Sequence, residues 1–232
     1  MPYRRLPNTD QSRIRAITTA LEQCGSNVDS GLVIDEKTLK EASTFLPSFE
    51  HAQHDYLLSL EKQKVASKKY YNQLRMARLY ISHFIQVLNF CVLRTEIKRE
   101  NKKLYGLEPD VHTVPDLNSE TAILSWGEKI IKGERDRIAA GGPPIYNPTI
   151  AKVTVYYEVF RDICIDQKMH QKNTNRFLDQ LASMRHEGDV IILDIWNQVE
   201  ACFERESEKR RLELCEQYGV RYYLRKSEKS DD

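Results

Sequence analysis

The sequence predicts an all-α protein, an up-and-down bundle of about six helices built as a duplication of a short-long-long helical unit. Three observations carry that prediction. Apolar residues recur at helical spacing, as in Ile81, Phe84, Ile85, Leu88, Val92 and Thr95, which fall at i, i+3, i+4 and i+7. Two stretches end on one signature, KKLYGL at 102–107 and CEQYGV at 215–220, in which an apolar residue follows a glycine. Sustained period-two alternation with turn signals is absent, so almost no sheet is expected.

In chain order, TDQSRIRAITTALEQ at 9–23 reads as a short amphipathic helix. Asp35 is the N-cap of a helix that opens with EKTLKEAS, because its carboxylate can accept from the free N–H groups of the first turn. Pro47 is expected to kink this helix and not to end it. Around Tyr80–Thr95, Val87, Phe90 and Leu93 lie off the main stripe, so the helix is apolar over much of its girth and belongs inside a bundle. Gly106 supplies a left-handed C′ position, and Lys102 and Lys103 complement the negative helix end. A second short helix, SETAILSWGEKIIKGERDRI, covers 119–138.

GGPPIYNPTI, residues 141–150, has helix on both sides and lacks the G-x-x-x-x-G-K-[ST] and G-x-G-x-x-G patterns of phosphate loops. It reads as a connector. Asn147 is expected as the next N-cap and Pro148 as the first helical residue. From Asp189 the stripe returns as Ile192, Ile195, Trp196, Val199, Cys202 and Phe203, Gly219 closes it, and 221–232 is expected as a flexible tail.

The repeat units span about 9–107 and 118–220 within one helical domain, 1–232. Thr38-Leu39 aligns with Thr149-Ile150, Phe45-Leu46 with Tyr156-Tyr157 and Phe49 with Phe160; Gln86-Val87 meets Gln198-Val199 after one inserted residue. A single helix over either long segment would run roughly 100 Å, too long for one domain of this size, so each is expected to fold into a hairpin. The polar stretches EKQKVASKK (61–69) and HQKNTNR (170–176) are the expected turns, with MRHEGD (184–189) the rival in the second copy. A two-fold relation between the copies would bring Phe84–Leu88 against Trp196–Val199 and set Gln86 beside Gln198.

The 232 residues are 41% hydrophobic, enough for a core, and 35 basic side chains nearly cancel 34 acidic ones. A net charge of +1 supplies no global field for nucleic acid or anionic lipid. No apolar run approaches the roughly 20 residues of a bilayer span, and MPYRRLPNTDQSR lacks a secretory core. The five cysteines, Cys24, Cys91, Cys164, Cys202 and Cys215, form no C-x-x-C pair and fit reduced thiols. A cytoplasmic protein without membrane contact is expected.

The most suggestive chemical cluster is HAQH, with Glu50, His51, His54 and Asp55, since bundle metal sites use carboxylate and imidazole from helix faces. Gln53 occupies the place where a Glu-x-x-His motif needs histidine, so surface histidines are the plainer reading. His83 and Cys91 stand about two helical turns apart and cannot form a nucleophilic pair. Gln86, Asn89, Asn197 and Gln198 sit on strongly apolar helices, either as a buried network that fixes register or on the less buried side. Gly127 and Gly133 interrupt one helix, which close packing explains; an exposed Trp126 on a docking face is the functional counterpart. Tyr222 and Tyr223, in the Arg/Tyr-rich stretch RRLELCEQYGVRYYLRKSEK, are further interface candidates. No catalytic residue and no cofactor is assigned.

The opening MPYRRLPNTD and the SHFIQVLN helix resemble members of a bacterial family of all-helical proteins with no assigned activity. The resemblance covers the whole chain and implies the fold and a bacterial cytoplasmic setting, but no site. The expected function is a non-catalytic interaction or scaffold protein that engages a protein partner or a second copy of itself. The alternative is a metal- or small-ligand-binding bundle that uses Glu50, His51 and His54. Nucleic-acid binding through Arg4, Arg5 and the C-terminal Arg/Tyr stretch is weaker, because the charges balance.

Overall fold

The computed structural model describes residues 3–26 and 33–223. Its α-helices are α1 (Asp10–Ser26), α2 (Glu36–Leu93), α3 (Glu120–Ala139), α4 (Ile150–Cys202) and α5 (Glu208–Gln217), with a 3-10 helix at Arg99–Tyr105. Among the described residues the strands are β1 (Tyr3–Arg4) and β2 (Tyr222–Tyr223), which pair antiparallel. The protein is an all-α helical bundle, as the periodicity predicts.

The chain forms two compact units, one from Met1–Leu60 with Asn173–Asp232 and one from Glu61–Lys172. The first takes α1, the start of α2, the end of α4 and α5; the second takes the end of α2, the 3-10 helix, α3 and the start of α4.

The two expected hairpins are single helices of 58 and 53 residues. Residues 61–69, 170–176 and 184–189 are helical throughout. EKQKVASKK contains neither glycine nor proline, and Lys, Glu, Gln and Ala are strong helix formers, so nothing local stops α2 there. The polarity of these stretches has another cause. α2 leaves the first unit after Leu60 and α4 enters it at Asn173, so the polar residues fall where each helix passes between two separate cores. The length argument assumed one core, whereas each helix serves two. Gly188, the rival turn residue, is a packing glycine; a Cβ there would stand 3.1 Å from Phe45 Cζ.

In the first unit, Ile17, Ala20, Ile34, Phe49, Ile192, Trp196, Val199 and Cys215 share one core. Thr38 Oγ1 donates to Asp194 Oδ2 at 2.6 Å and Thr174 Oγ1 to the Ser59 carbonyl at 3.3 Å, which sets α2 and α4 antiparallel there. In the second unit, Ile81, Phe84, Leu88, Tyr105, Ile123, Ile130, Val153 and Phe160 form the core. Phe84 and Leu88 therefore fill a different core from Trp196 and Val199, and the expected meeting of these stretches is corrected. Burial follows one constant spacing along α2 and α4: Ala42 with Val153, Phe49 with Phe160, Ile81 with Ile192, Phe84 with Ile195, Leu88 with Val199. No inserted residue is needed, so Gln86 corresponds to Asn197 and not to Gln198.

The punctuation is mostly as read. Asp35 Oδ1 accepts from the Thr38 N–H at 2.7 Å, and Gly106 and Gly219 have φ of 70° and 82°. After each glycine the next N–H reaches back, Leu107 to the Lys102 carbonyl at 3.1 Å and Val220 to that of Cys215 at 3.2 Å. These glycines close separate short helices, because α2 already ends at Leu93 and α4 at Cys202. Asn147 and Pro148 lie in a turn with a cis peptide bond between them; Thr149 caps α4 instead, its Oγ1 accepting from the Lys152 N–H. Tyr222 and Tyr223 are strand and not tail, and the tail expected at 224–232 lies outside the described residues. One helix, α2, also contains an 18-residue window of mean hydropathy 1.3, of which 44% is buried in the fold. By length and composition that stretch could cross a bilayer, a test that the core helix of a soluble protein also passes.

Candidate functional site: an arginine-lined cavity beside the paired strands

The first unit holds a cavity of about 300 Å³, and strand pairing builds it. Tyr3 aligns with Tyr223 and Arg4 with Tyr222, and the Arg5 N–H donates to the Arg221 carbonyl at 3.0 Å. Two segments more than 200 residues apart in sequence thus become neighbours. Arg4 locks the strand to α4 by donating to Asn197 Oδ1 at 2.8 Å and pairing with Glu200 at 3.3 Å. Tyr222 donates its hydroxyl to the same Glu200 at 2.6 Å, and burial together with that carboxylate pushes its phenol well above the ordinary range. Gly219 completes the turn into β2; a Cβ there would meet the Ala16 carbonyl at 3.1 Å.

The lining includes Arg5, Arg15 and Arg221 and no aspartate or glutamate. None of these three guanidiniums makes an ion pair or side-chain hydrogen bond among the described residues. Leu6, Pro7, Trp196, Tyr222 and Tyr223 supply the apolar wall. Trp196 is only 1% exposed, and its indole Nε1 has no hydrogen-bond partner among the described residues. A buried donor left unpaired costs about 1–3 kcal/mol. The chemistry on offer is binding of negative charge beside an aromatic surface.

Searched against known families, characterised proteins and solved structures, the chain matches none. The reading rests on its own geometry.

The sequence-predicted residues lie elsewhere, with the exception of Arg5 and the two tyrosines. Glu50, His51 and His54 are exposed on α2, and His51 Nε2 approaches only Asp55, at 3.5 Å. Among the described residues no three His, Cys, Asp or Glu side chains gather to hold a metal ion. The buried polar network is corrected as well. Gln86 and Asn197 are exposed, and Gln198 is half-buried, bridging Asp35, Thr38 and Asp194 at 2.9–3.1 Å. Helices with two compact cores still have one solvent-facing side, and these residues occupy it. Asn89 alone is buried; its Nδ2 donates to the His112 carbonyl at 3.0 Å. Trp126 is half-buried against the second core, with Lys129 Nζ 4.6 Å above its ring. Gly127 and Gly133 are there for close approach, since added Cβ atoms would stand 2.3 Å from Tyr157 and 2.7 Å from the Leu104 carbonyl.

Sequence reasoning singled out Arg5, Tyr222 and Tyr223 but not Arg15, Arg221 as a wall residue, or Trp196 as an unpaired donor. Two-residue strands leave no periodic signal, so only the fold shows that they pair. It also missed the brace in the second unit. The fully buried Glu134 accepts from Arg137 at 2.9 Å, from Tyr105, and from the Ile145 N–H at 3.0 Å, while Arg137 also donates to the Pro143 carbonyl at 2.8 Å. This satisfied network straps the GGPP connector to α3.

Proposed function

We propose that the chain is a non-catalytic helical binding protein that receives a negatively charged partner at the cavity beside β1 and β2. One observation carries the reading: strand pairing gathers three unpaired arginines, without a lining carboxylate, in a chain whose overall charge is near zero. Charge that is balanced over the whole chain but uncompensated at one cavity is a local recognition feature. The alternative of a metal site at Glu50, His51 and His54 has no gathered ligands to support it. The experiment is salt-gradient elution from immobilised heparin, comparing the protein with a triple variant, Arg5→Gln, Arg15→Gln and Arg221→Gln. A control variant carries Gln at Arg161, Arg205 and Arg210. Retention should fall with salt in the parent and the control, and be largely lost in the cavity variant. Equal elution of the two variants would remove the reading.

A further inference from the structure

We infer that the cavity takes a nucleoside phosphate, with the phosphate among the three arginines and the planar base against the aromatic wall. The inference rests on the anion-binding reading above and narrows it to one ligand class. The cations are all arginine, whose planar fork matches phosphate oxygens in pairs, where lysine would act as a point charge. They stand beside Leu6, Pro7, Tyr222 and Tyr223, so an inorganic anion would leave the apolar half of the cavity wet. Base–aromatic contact is the interaction that such a wall offers a ligand with a π-face.

Size argues in the same direction. About 300 Å³ lies at the small end of ligand pockets, suited to one compact molecule and not to a strand or a helix. The pocket is also held in place before any ligand arrives, by the β1–β2 ladder, the Arg4–Glu200 pair and the Gly219 turn. Trp196 adds ring surface to the same wall, while its indole Nε1 is itself buried from the cavity.

The indole also provides the test. Trp126 and Trp196 are the only tryptophans, so the full chain with Trp126→Phe reports from Trp196 alone. This variant is titrated, in phosphate-free buffer, with the mono- and diphosphates of adenosine, guanosine, cytidine and uridine, and binding is repeated by calorimetry. At least one should give a saturable fluorescence change. Its affinity should fall about tenfold or more in Arg221→Gln and in Arg5→Gln. Both side chains are exposed, so unchanged melting temperatures will show that these variants fold. The matching nucleoside and inorganic phosphate should each bind at least about tenfold more weakly than the nucleotide. Inorganic phosphate or pyrophosphate binding as tightly would overturn the inference, because the aromatic wall would then contribute nothing. No response to any nucleotide up to millimolar concentration would overturn it too. If heparin retention still depends on the three arginines in that case, the anion-binding reading stands and only the ligand class falls; if both fail, the cavity is no anion site.

Discussion

Gly219 and Gly106 make the same left-handed turn in the two units, yet one lines a cavity and the other packs under a lysine side chain. Beside Gly219, helix α1 presents the Ala16 carbonyl and Thr19, 3.1 and 3.4 Å from where a Cβ would stand, and space remains beyond these small residues. Beside Gly106, helix α3 presents Lys129, whose Cδ lies 3.3 Å from the same point and whose ammonium caps Trp126. A shared backbone signature thus ends as a pocket or a lid according to one side chain on the facing helix. The ion pairs differ in the same sense. In the first unit Arg13 reaches Asp189 at 2.8 Å and Arg185 reaches Asp10 at 2.8 Å, with the Asp189 side chain 32% exposed. In the second, Glu134 and Arg137 are almost wholly buried and brace a loop. The first unit's pairs stay within reach of water, and the second unit's pair does not.

The largest test of that contrast removes one arginine from each unit. Arg137→Ala strands a buried carboxylate and should cost about 3–5 kcal/mol in urea denaturation. Arg13→Ala leaves carboxylates that water can reach and should cost about 1–3 kcal/mol. Equal losses would mean that the two networks do not differ in kind. Next in size are the glycines. At Gly133 an added Cβ would press on backbone, the Leu104 carbonyl at 2.7 Å and Tyr105 Cα at 2.8 Å, so Gly133→Ala should destabilise by about 1–3 kcal/mol. At Gly188 the neighbour is the edge of the Phe45 ring, which can yield, and the helix gains from losing a glycine. Gly188→Ala should therefore stay within about 1 kcal/mol of the parent.

A smaller change in stability comes with a larger change in binding. Thr19→Met places a long apolar side chain where the second unit has Lys129, and should close the cavity. Thermal stability should move by no more than about 0.5 kcal/mol, as for most partly exposed positions. Heparin retention should fall toward that of the triple-arginine variant. Retention unchanged by Thr19→Met would place the anion site outside the cavity and break the comparison at its centre.

What the sequence made legible follows what is local. The stripe Ile81–Phe84–Ile85–Leu88, the Asp35 cap and the Gly106 and Gly219 turns all depend on neighbours within a few residues, and all are present. The hairpin turns at 61–69 and 170–176 were misread because a polar stretch can mark either a chain reversal or a border between cores, and composition does not separate the two. The site was the least legible part. Its walls come from residues 5–19, from Trp196 and from 219–223, and nothing in a two-residue strand announces its partner. Glu134 and Arg137 sit at i and i+3 on α3, a spacing that surface pairs share, so only burial distinguishes this one.

The smallest expected effect concerns pH and lies in the second unit, where Glu120 accepts from Lys168 at 2.7 Å and from Tyr70 at 2.9 Å. Burial alone would raise this carboxyl, but the hydrogen bonds from Lys168 and Tyr70 outweigh it and hold the group below its ordinary value. A lowered folded value means that Glu120 contributes stability above its unfolded value, near pH 4.3, and loses it as pH falls through the folded one. The Lys168 side chain is 69% exposed, so the contribution should be under about 1 kcal/mol. Glu120→Gln should therefore be slightly less stable than the parent at pH 6, and the gap should narrow as pH falls through the lowered value. The alkaline side responds to a different group. Burial, with Glu120 second, pushes the Cys164 thiol up to about 12, so the folded state keeps its proton while the unfolded thiol ionises near pH 8.5. Stability should then decline as pH rises above that value, and Cys164→Ala should flatten the decline. Because burial is the first cause, Glu120→Gln should leave most of the alkaline loss in place. An acid arm that Glu120→Gln does not change would show that solvent already screens the Lys168 contact, and the buried pairing of the second unit would rest on Glu134 and Arg137.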